Sequence, residues 1–297
     1  MTGLTRLAPA KVNLYLHVAA PDARGYHPLR SLVVFADIGD AVQLVPAKSA
    51  GFDRNLRPNL RIDGPFSTGL STGEDNLILK AVRRFEQAAG LVVDRHDIAL
   101  SKNLPIASGI GGGSADAGAV LHLLRLAYAQ AMPDETLSEI AASTGADGVM
   151  CLWAKASIAE GYGERLTPAK VPNMQAVLIN PRVECPTPAV YQGFDDQGLF
   201  ADIDTSQGFA NIINIDQLIE ALTATRNDLQ SPAIRLQPVI GEVLKSLEAQ
   251  PETLLARMSG SGATCFALCA TDESAAALSR RLEALWPAAW VRACHLG

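Results

Sequence analysis

Four glycines fall within five residues in the run Leu104-Pro105-Ile106-Ala107-Ser108-Gly109-Ile110-Gly111-Gly112-Gly113-Ser114-Ala115-Asp116-Ala117. A strand-like segment, 96–101, precedes the run. An apolar-periodic segment marked by Val120, Leu121, Leu124 and Tyr128 follows it. Strand, glycine loop and helix in that order restrict the fold to one with a helix packed against a sheet. The glycines let backbone N–H groups approach a ligand closely, and the helix that follows points the positive end of its dipole the same way. Such a junction holds an anion, typically phosphate. No lysine follows the glycines as in G-x-x-x-x-G-K-[ST], and position 114 is Ser where G-x-G-x-x-G needs glycine. The loop is thus a phosphate cradle of another spelling, with the Ser108 and Ser114 hydroxyls as added donors. A plain turn rarely needs more than one or two glycines.

At 297 residues, 48% hydrophobic and 19% charged, the chain has the composition of a globular protein with room for two cores. A net charge of −6 argues against a nucleic-acid partner, so any anionic ligand is held by local donors. No apolar run approaches the ~18 residues of a membrane span, and residues 1–10 lack a secretion-signal layout. A cytoplasmic protein is expected. The five cysteines (151, 185, 265, 269, 294) contain no C-x-x-C, and the histidines show no metal-ligand spacing.

Strands are expected over 11–19, 29–38, 41–45, 59–62 and 96–101, with a helix over 76–89 capped by Asp75 and stopped by Gly90. Helices follow over 114–130 and 133–143, then a short strand pair, 149–153 and 156–159. A boundary is expected in 167–172, dividing the chain into 1–168 and 169–297. Beyond it come a strand at 176–179, a proline-rich stretch at 181–188 and a helix over 231–249. The end reads as strand 254–258, a Ser-Gly turn, strand 263–270, helix 273–285 and strand 290–294, a split βαβ layer. The fold class is α+β.

Several residues stand where chemistry is done. Lys11 and Asn13 share one face of a strand, although a solvent-facing edge lysine accounts for Lys11 as well. Asp147, past a helix end, is placed for a catalytic carboxylate and equally for a turn former. Tyr26 and His27 suit stacking on a ring and bonding to its edge; a packed turn tyrosine is the bland alternative. Gly260-Ser261-Gly262 is either a second phosphate turn or a tight hairpin. No G-x-S-x-G elbow of a hydrolase occurs at this turn.

Taken together, Pro9-Ala10-Lys11-Val12-Asn13-Leu14, the glycine run and Ser259-Gly260-Ser261-Gly262-Ala263 resemble the three motifs of the GHMP small-molecule kinases. Arg24-Gly25-Tyr26-His27, Gly73-Glu74-Asp75-Asn76-Leu77, Ala159-Glu160-Gly161-Tyr162-Gly163-Glu164 and Arg226-Asn227-Asp228-Leu229 resemble the branch acting on 4-diphosphocytidyl-2-C-methyl-D-erythritol. The resemblance runs in order over nearly the whole chain. It implies an N-terminal domain like domain 2 of ribosomal protein S5, carrying the ATP loop, and a C-terminal ferredoxin-like domain. It further implies ATP with Mg²⁺, phosphorylation of the acceptor's 2-hydroxyl in non-mevalonate isoprenoid synthesis, and a small-molecule substrate with no membrane partner. A monomer or weak homodimer is expected.

By the same resemblance Lys11 and Asp147 are catalytic, and Asn13 holds the diphosphate or the acceptor. Tyr26 and Tyr191 sandwich the cytosine and His27 bonds its edge. Pro105, Ile106, Ala107, Ser108, Gly109, Ile110, Gly111, Gly112, Gly113 and Ser114 cradle ATP phosphate, with Asn76 near the adenine; no residue is assigned to a metal. Two positions depart from the family pattern: Gly148-Val149 follow Asp147 in place of Val-Pro, and Tyr191 stands where Phe is common. A homoserine or mevalonate kinase is the alternative within the superfamily, and it would not need the base clamp. A nucleotide-binding protein without catalysis would lack Lys11 or Asp147.

Overall fold

The computed structural model describes residues 3–47, 58–203, 209 and 212–297. In chain order the elements are β1 (Leu4–Val18), β2 (Leu29–Pro46), β3 (Leu60–Asp63), α1 (Leu77–Ala89), β4 (His96–Ser101), α2 (Gly112–Tyr128), α3 (Asp134–Ala142) and α4 (Gly148–Trp153). Then come β5 (Ser157–Gly161), β6 (Arg165–Pro168), β7 (Met174–Asn180), α5 (Thr187–Asp195), α6 (Ile215–Thr223), α7 (Gln230–Leu236) and α8 (Val239–Glu248). The chain ends with β8 (Leu255–Met258), β9 (Cys265–Cys269), α9 (Asp272–Leu285) and β10 (Trp290–Leu296).

Two compact units share these elements, and neither is continuous in sequence. The first holds Met1–Ala10, Ile38–Ile106 and Gly111–Ala154; the second holds Lys11–Asp37, Ala107–Ile110 and Lys155–Gly297. A cut at 168/169 falls inside the second unit.

In the first unit β4 pairs antiparallel with residues 41–46 of β2 and parallel with β3. α1 buries Ile78, Ala81, Val82 and Phe85, the i, i+3, i+4, i+7 stripe of an amphipathic helix. Its N-cap is Asn76, not Asp75: Asn76 Oδ1 accepts the Ile78 N–H at 2.9 Å, while Asp75 takes the Ser71 hydroxyl. Gly90 ends the helix as expected. α2 is buried almost all round from Ala115 to Leu124.

The stretch 149–153, expected as a strand, is helical. Apolar runs this short do not separate buried strand from buried helix. Here Gly148 opens α4 against α3, where a Cβ would run into the Ala141 carbonyl, and Met150, Cys151 and Leu152 are all buried.

In the second unit β8, β9, β7 and β10 form an antiparallel sheet in that spatial order, with Arg257 opposite Phe266, Leu178 opposite Phe266 and Val291 opposite Ile179. The order is that of a ferredoxin-like split βαβ, as the sequence pattern implies. α8 and α9 supply Ile240, Val243, Leu247, Leu278 and Leu282 to the core over the sheet. Residues 29–33 of β2 pair with β5, which pairs with β6. The single helix expected over 231–249 is two, α7 and α8. Pro238 drives Gln237 out of the helical region (φ −136°, ψ 87°), because a residue before proline is crowded there. The strands expected over 29–38 and 41–45 are one, β2, and α5 was not foreseen: it begins within the proline-rich stretch, with Pro188 in its first turn.

Phe266 is fully buried at the centre of this sheet. Phe266→Ala should lower the free energy of unfolding by about 3–5 kcal/mol, read as a shift of the urea midpoint at unchanged slope.

Candidate active site

Three segments far apart in sequence are tied together by main-chain atoms in the second unit. The Lys11 N–H donates to Ile110 O at 2.9 Å, and the Thr264 N–H donates to Ser108 O at 3.1 Å. Between them stands the fully buried Ser259. Its hydroxyl accepts the Asn13 N–H at 3.1 Å and donates to Gly109 O at 3.1 Å. Asn227 closes the arrangement, its amide donating to Met258 O and Gly260 O, both at 2.8 Å.

Gly109 is required by this packing. Its φ is +73°, and a Cβ there would lie 2.5 Å from Ser259 O. The Gly260-Ser261-Gly262 turn, a hairpin connection between β8 and β9, therefore meets the first glycine loop through its backbone. Ser259 and Asn227 went unremarked as supporting residues in the sequence, since neither carries reactive chemistry.

The Lys11 side chain is buried on β1. Asn13 places its amide nitrogen 2.7 Å from the Ser31 hydroxyl, and its buried Oδ1 has no hydrogen-bond partner among the described residues. In the loop, Pro105, Ser108 and Ile110 are buried whereas Ile106 and Ala107 are exposed.

In the first unit, α2 begins at Gly112 with Gly111 as its N-cap, two residues earlier than the sequence pattern suggests. The N–H groups of Gly112, Gly113 and Ser114 thus lie in the first turn, where no intrahelical acceptor exists, and Gly113 is exposed. Free N–H groups at a helix N-terminus are a general setting for an anion. Asp147 is the N-cap residue of α4, but its side chain makes no capping hydrogen bond there. Asn76 spends its side chain locally, accepting from Ile78 N and donating to Ser71 O at 2.7 Å.

Beneath the α2 turn lies a buried ion cluster. Lys102 Nζ donates to Asp40 Oδ2 at 2.5 Å and Asp116 Oδ2 at 2.7 Å, and all three side chains are nearly or fully buried. Asp40 also accepts the N–H groups of Asn103 and Leu104 at 2.6 and 2.8 Å, fixing the entry to the loop. Burial would lower the Lys102 pKa, but Asp116 and Asp40 together raise it. Burial pushes the Asp116 carboxyl up, and Asp40 adds to this against the opposing Lys102.

Tyr26, His27 and Tyr191, the residues expected to clamp a base, are also in the second unit. Tyr26 is 63% exposed. It meets the Tyr162 ring edge-on at 6.0 Å, with the Arg24 guanidinium 5.1 Å from the Tyr162 centroid. Asp22 gathers this corner, accepting the Tyr162 hydroxyl at 2.8 Å and the Tyr26 N–H at 3.0 Å. His27 is buried, with Tyr191 at 5.1 Å and Asp195 Oδ1 3.2 Å from its Nε2. Tyr162 and Asp195 join Tyr26, His27 and Tyr191 here only because β5 and α5 return to the same place.

Comparison with known proteins follows the same lines. Residues 76–155 match the GHMP kinases N terminal domain and residues 209–288 the GHMP kinases C terminal. A 4-diphosphocytidyl-2-C-methyl-D-erythritol kinase of Caulobacter vibrioides is 50% identical over 99% of this chain and 99% of its own. The chain belongs to the 4-diphosphocytidyl-2-C-methyl-D-erythritol kinase family. A crystal structure of 4-(cytidine 5'-diphospho)-2C-methyl-D-erythritol kinase superposes with a TM-score of 0.77 at 32% identity, covering 99% of both chains. Homoserine kinase from Cytophaga hutchinsonii shares the fold, with a TM-score of 0.72 over 99% of this chain and 95% of its own, at 19% identity. Among the described residues, no helix is long and apolar enough to cross a membrane.

A carboxyl with a raised pKa holds its proton longer in the folded than in the unfolded chain, so stability falls as pH rises from near 4 through the raised value. Asp116→Asn should flatten that decline between pH 5 and pH 8 in urea denaturation. An unchanged slope would clear Asp116 of the effect.

Proposed function

We infer that this chain is an ATP-dependent kinase that transfers the γ-phosphoryl group of ATP to the 2-hydroxyl of 4-diphosphocytidyl-2-C-methyl-D-erythritol, giving ADP and the 2-phosphate in non-mevalonate isoprenoid synthesis. The observation that carries this reading is the 50% identity, over essentially the whole chain, to a kinase of that name. The homoserine kinase, at 19% identity, shares the fold alone. A homoserine or mevalonate acceptor also has no base to occupy a Tyr26–His27–Tyr191 clamp.

Phosphoryl transfer asks a protein chiefly for positioning and charge stabilisation. The first-turn N–H groups of Gly112, Gly113 and Ser114 are suited to the nucleotide phosphates, and the Ser108–Ile110 segment is held rigid for the same purpose by Ser259. ATP brings Mg²⁺, which offsets charge on the transferring group, and no residue of this chain is assigned to it. Asp147 accepts the proton of the 2-hydroxyl. Lys11 steers the hydroxyl oxygen.

Asn13 has its amide nitrogen directed to Ser31, which leaves Oδ1 as an acceptor suited to a substrate hydroxyl rather than to a phosphate. Tyr26 and Tyr191 stack on the cytosine, a role tyrosine fills as well as phenylalanine. Asn76 lies at the adenine end. The family domains divide at 168/169, with the matches at 76–155 and 209–288 on either side. The protein acts in the cytoplasm as a monomer or weak homodimer.

Purified protein with ATP, Mg²⁺ and the diphosphocytidyl acceptor should release ADP in step with the 2-phosphate. Turnover with homoserine and none with that acceptor would reject the assignment. Asp147→Ala should lower kcat by about 10² or more while leaving KM for ATP nearly unchanged, and near-normal turnover would remove Asp147 from the base role.

A further inference from the structure

His27 and Asp195 form a pair that phosphoryl transfer does not use. His27 Nδ1 lies 2.9 Å from Ala19 O. A carbonyl only accepts, so that nitrogen carries a hydrogen. In the neutral ring Nε2 is then an acceptor, and it faces Asp195 Oδ1 at 3.2 Å. That oxygen is buried and receives no hydrogen bond among the described residues, while the Asp195 side chain as a whole keeps 35% of its surface. Two acceptors side by side make a seat for a donor, because a buried acceptor left unpaired is costly. α5 builds the seat: Tyr191 and Asp195 are four residues apart and so lie on one face of the helix, both against His27. The carboxylate stands one helical turn from the ring expected to stack on the base.

We propose that Asp195 determines which base the acceptor carries: beside Nε2 of His27, its carboxylate accepts the exocyclic amino group of cytosine. The proposal rests on the cytidine-diphosphate acceptor of the preceding section. Cytosine presents an amino donor at C4 where uracil presents a carbonyl, and Asp accepting from that amino group is a recurrent mode of base reading. A uracil would set its oxygen against two acceptors and leave all of them unpaired, and sites built this way reject the wrong partner strongly.

The test measures CDP and UDP binding by titration calorimetry to the wild-type protein and to Asp195→Asn. Wild type should prefer CDP by about 10²-fold, and Asp195→Asn, whose amide can donate to the uracil carbonyl, should bring the two within about threefold. Asp196→Asn is the control: its carboxylate accepts from Gln192 at 2.9 Å, and the CDP preference should persist. In turnover, the Asp195→Asn loss should appear in KM for the acceptor far more than in kcat or in KM for ATP. If melting curves show that Asp195→Asn does not fold, Asp195→Ser carries the same measurement. An unchanged preference in a folded variant, or no preference in wild type, overturns the proposal. Selective CDP binding that Asp195→Asn abolishes, without phosphorylation of the acceptor, would refute the proposed activity and leave the role of Asp195 standing.

Discussion

One buried hydroxyl joins the three segments that carry candidate residues in the second unit. Ser259 takes the N–H of Asn13 from β1 and gives its own hydrogen to Gly109 O, so each half of its hydrogen-bonding capacity serves a different segment. Its one hydrogen is committed, and it has no exposure to water that could compete. The Asn227 amide then fixes the turn that carries Ser259, at Met258 O and Gly260 O. A loop with this much glycine would be costly to order by packing, since glycine loses the most freedom on folding. Hydrogen bonds to its main chain order it instead. That explains why the positions around the loop are small: a side chain at Gly109 would occupy the space of Ser259 O.

In the first unit the corresponding burden falls on charge. Lys102 lies between Asp40 and Asp116, two carboxyls to one ammonium, buried under the first turn of α2, and that burial together with the imbalance raises the Asp116 pKa. Burial penalises every member, and each is kept only because its neighbours are close and oriented. Asp40 gains most from this, because its second oxygen also receives two backbone N–H groups. Breaking such a cluster by removing one partner typically costs about 3–5 kcal/mol, whereas a matched apolar replacement of the whole can be neutral. The cluster is therefore better understood as fixing the position of the loop than as a reservoir of stability.

The sequence was readable where a residue's role is local. The strand at 96–101, the Gly90 stop and the split βαβ ending all appear where hydrophobic period and turn chemistry put them. It misled where local pattern is silent. Residues 149–153 are apolar enough for either strand or helix, and the close approach of Gly148 to Ala141 decided for helix. Pro238, visible in the sequence, should have split the helix expected over 231–249. α5 hid behind prolines that are compatible with a first turn.

By itself the sequence determined the family: the glycine-rich run and the motifs around Lys11 and Ser259 follow one another in the order of the GHMP kinases. Residue type and spacing left the roles of Lys11, Asp147, Tyr26 and His27 open, and the resemblance of those motifs named the superfamily. Tertiary structure decided which residues support them. Ser259 reaches Asn13 across 246 positions, and Asp195 reaches His27 only because α5 turns its Tyr191 face onto that ring. A hydroxyl or a carboxylate has no sequence signal for its partner, since the hydrogen bond depends on a distance of about 3 Å that only folding sets.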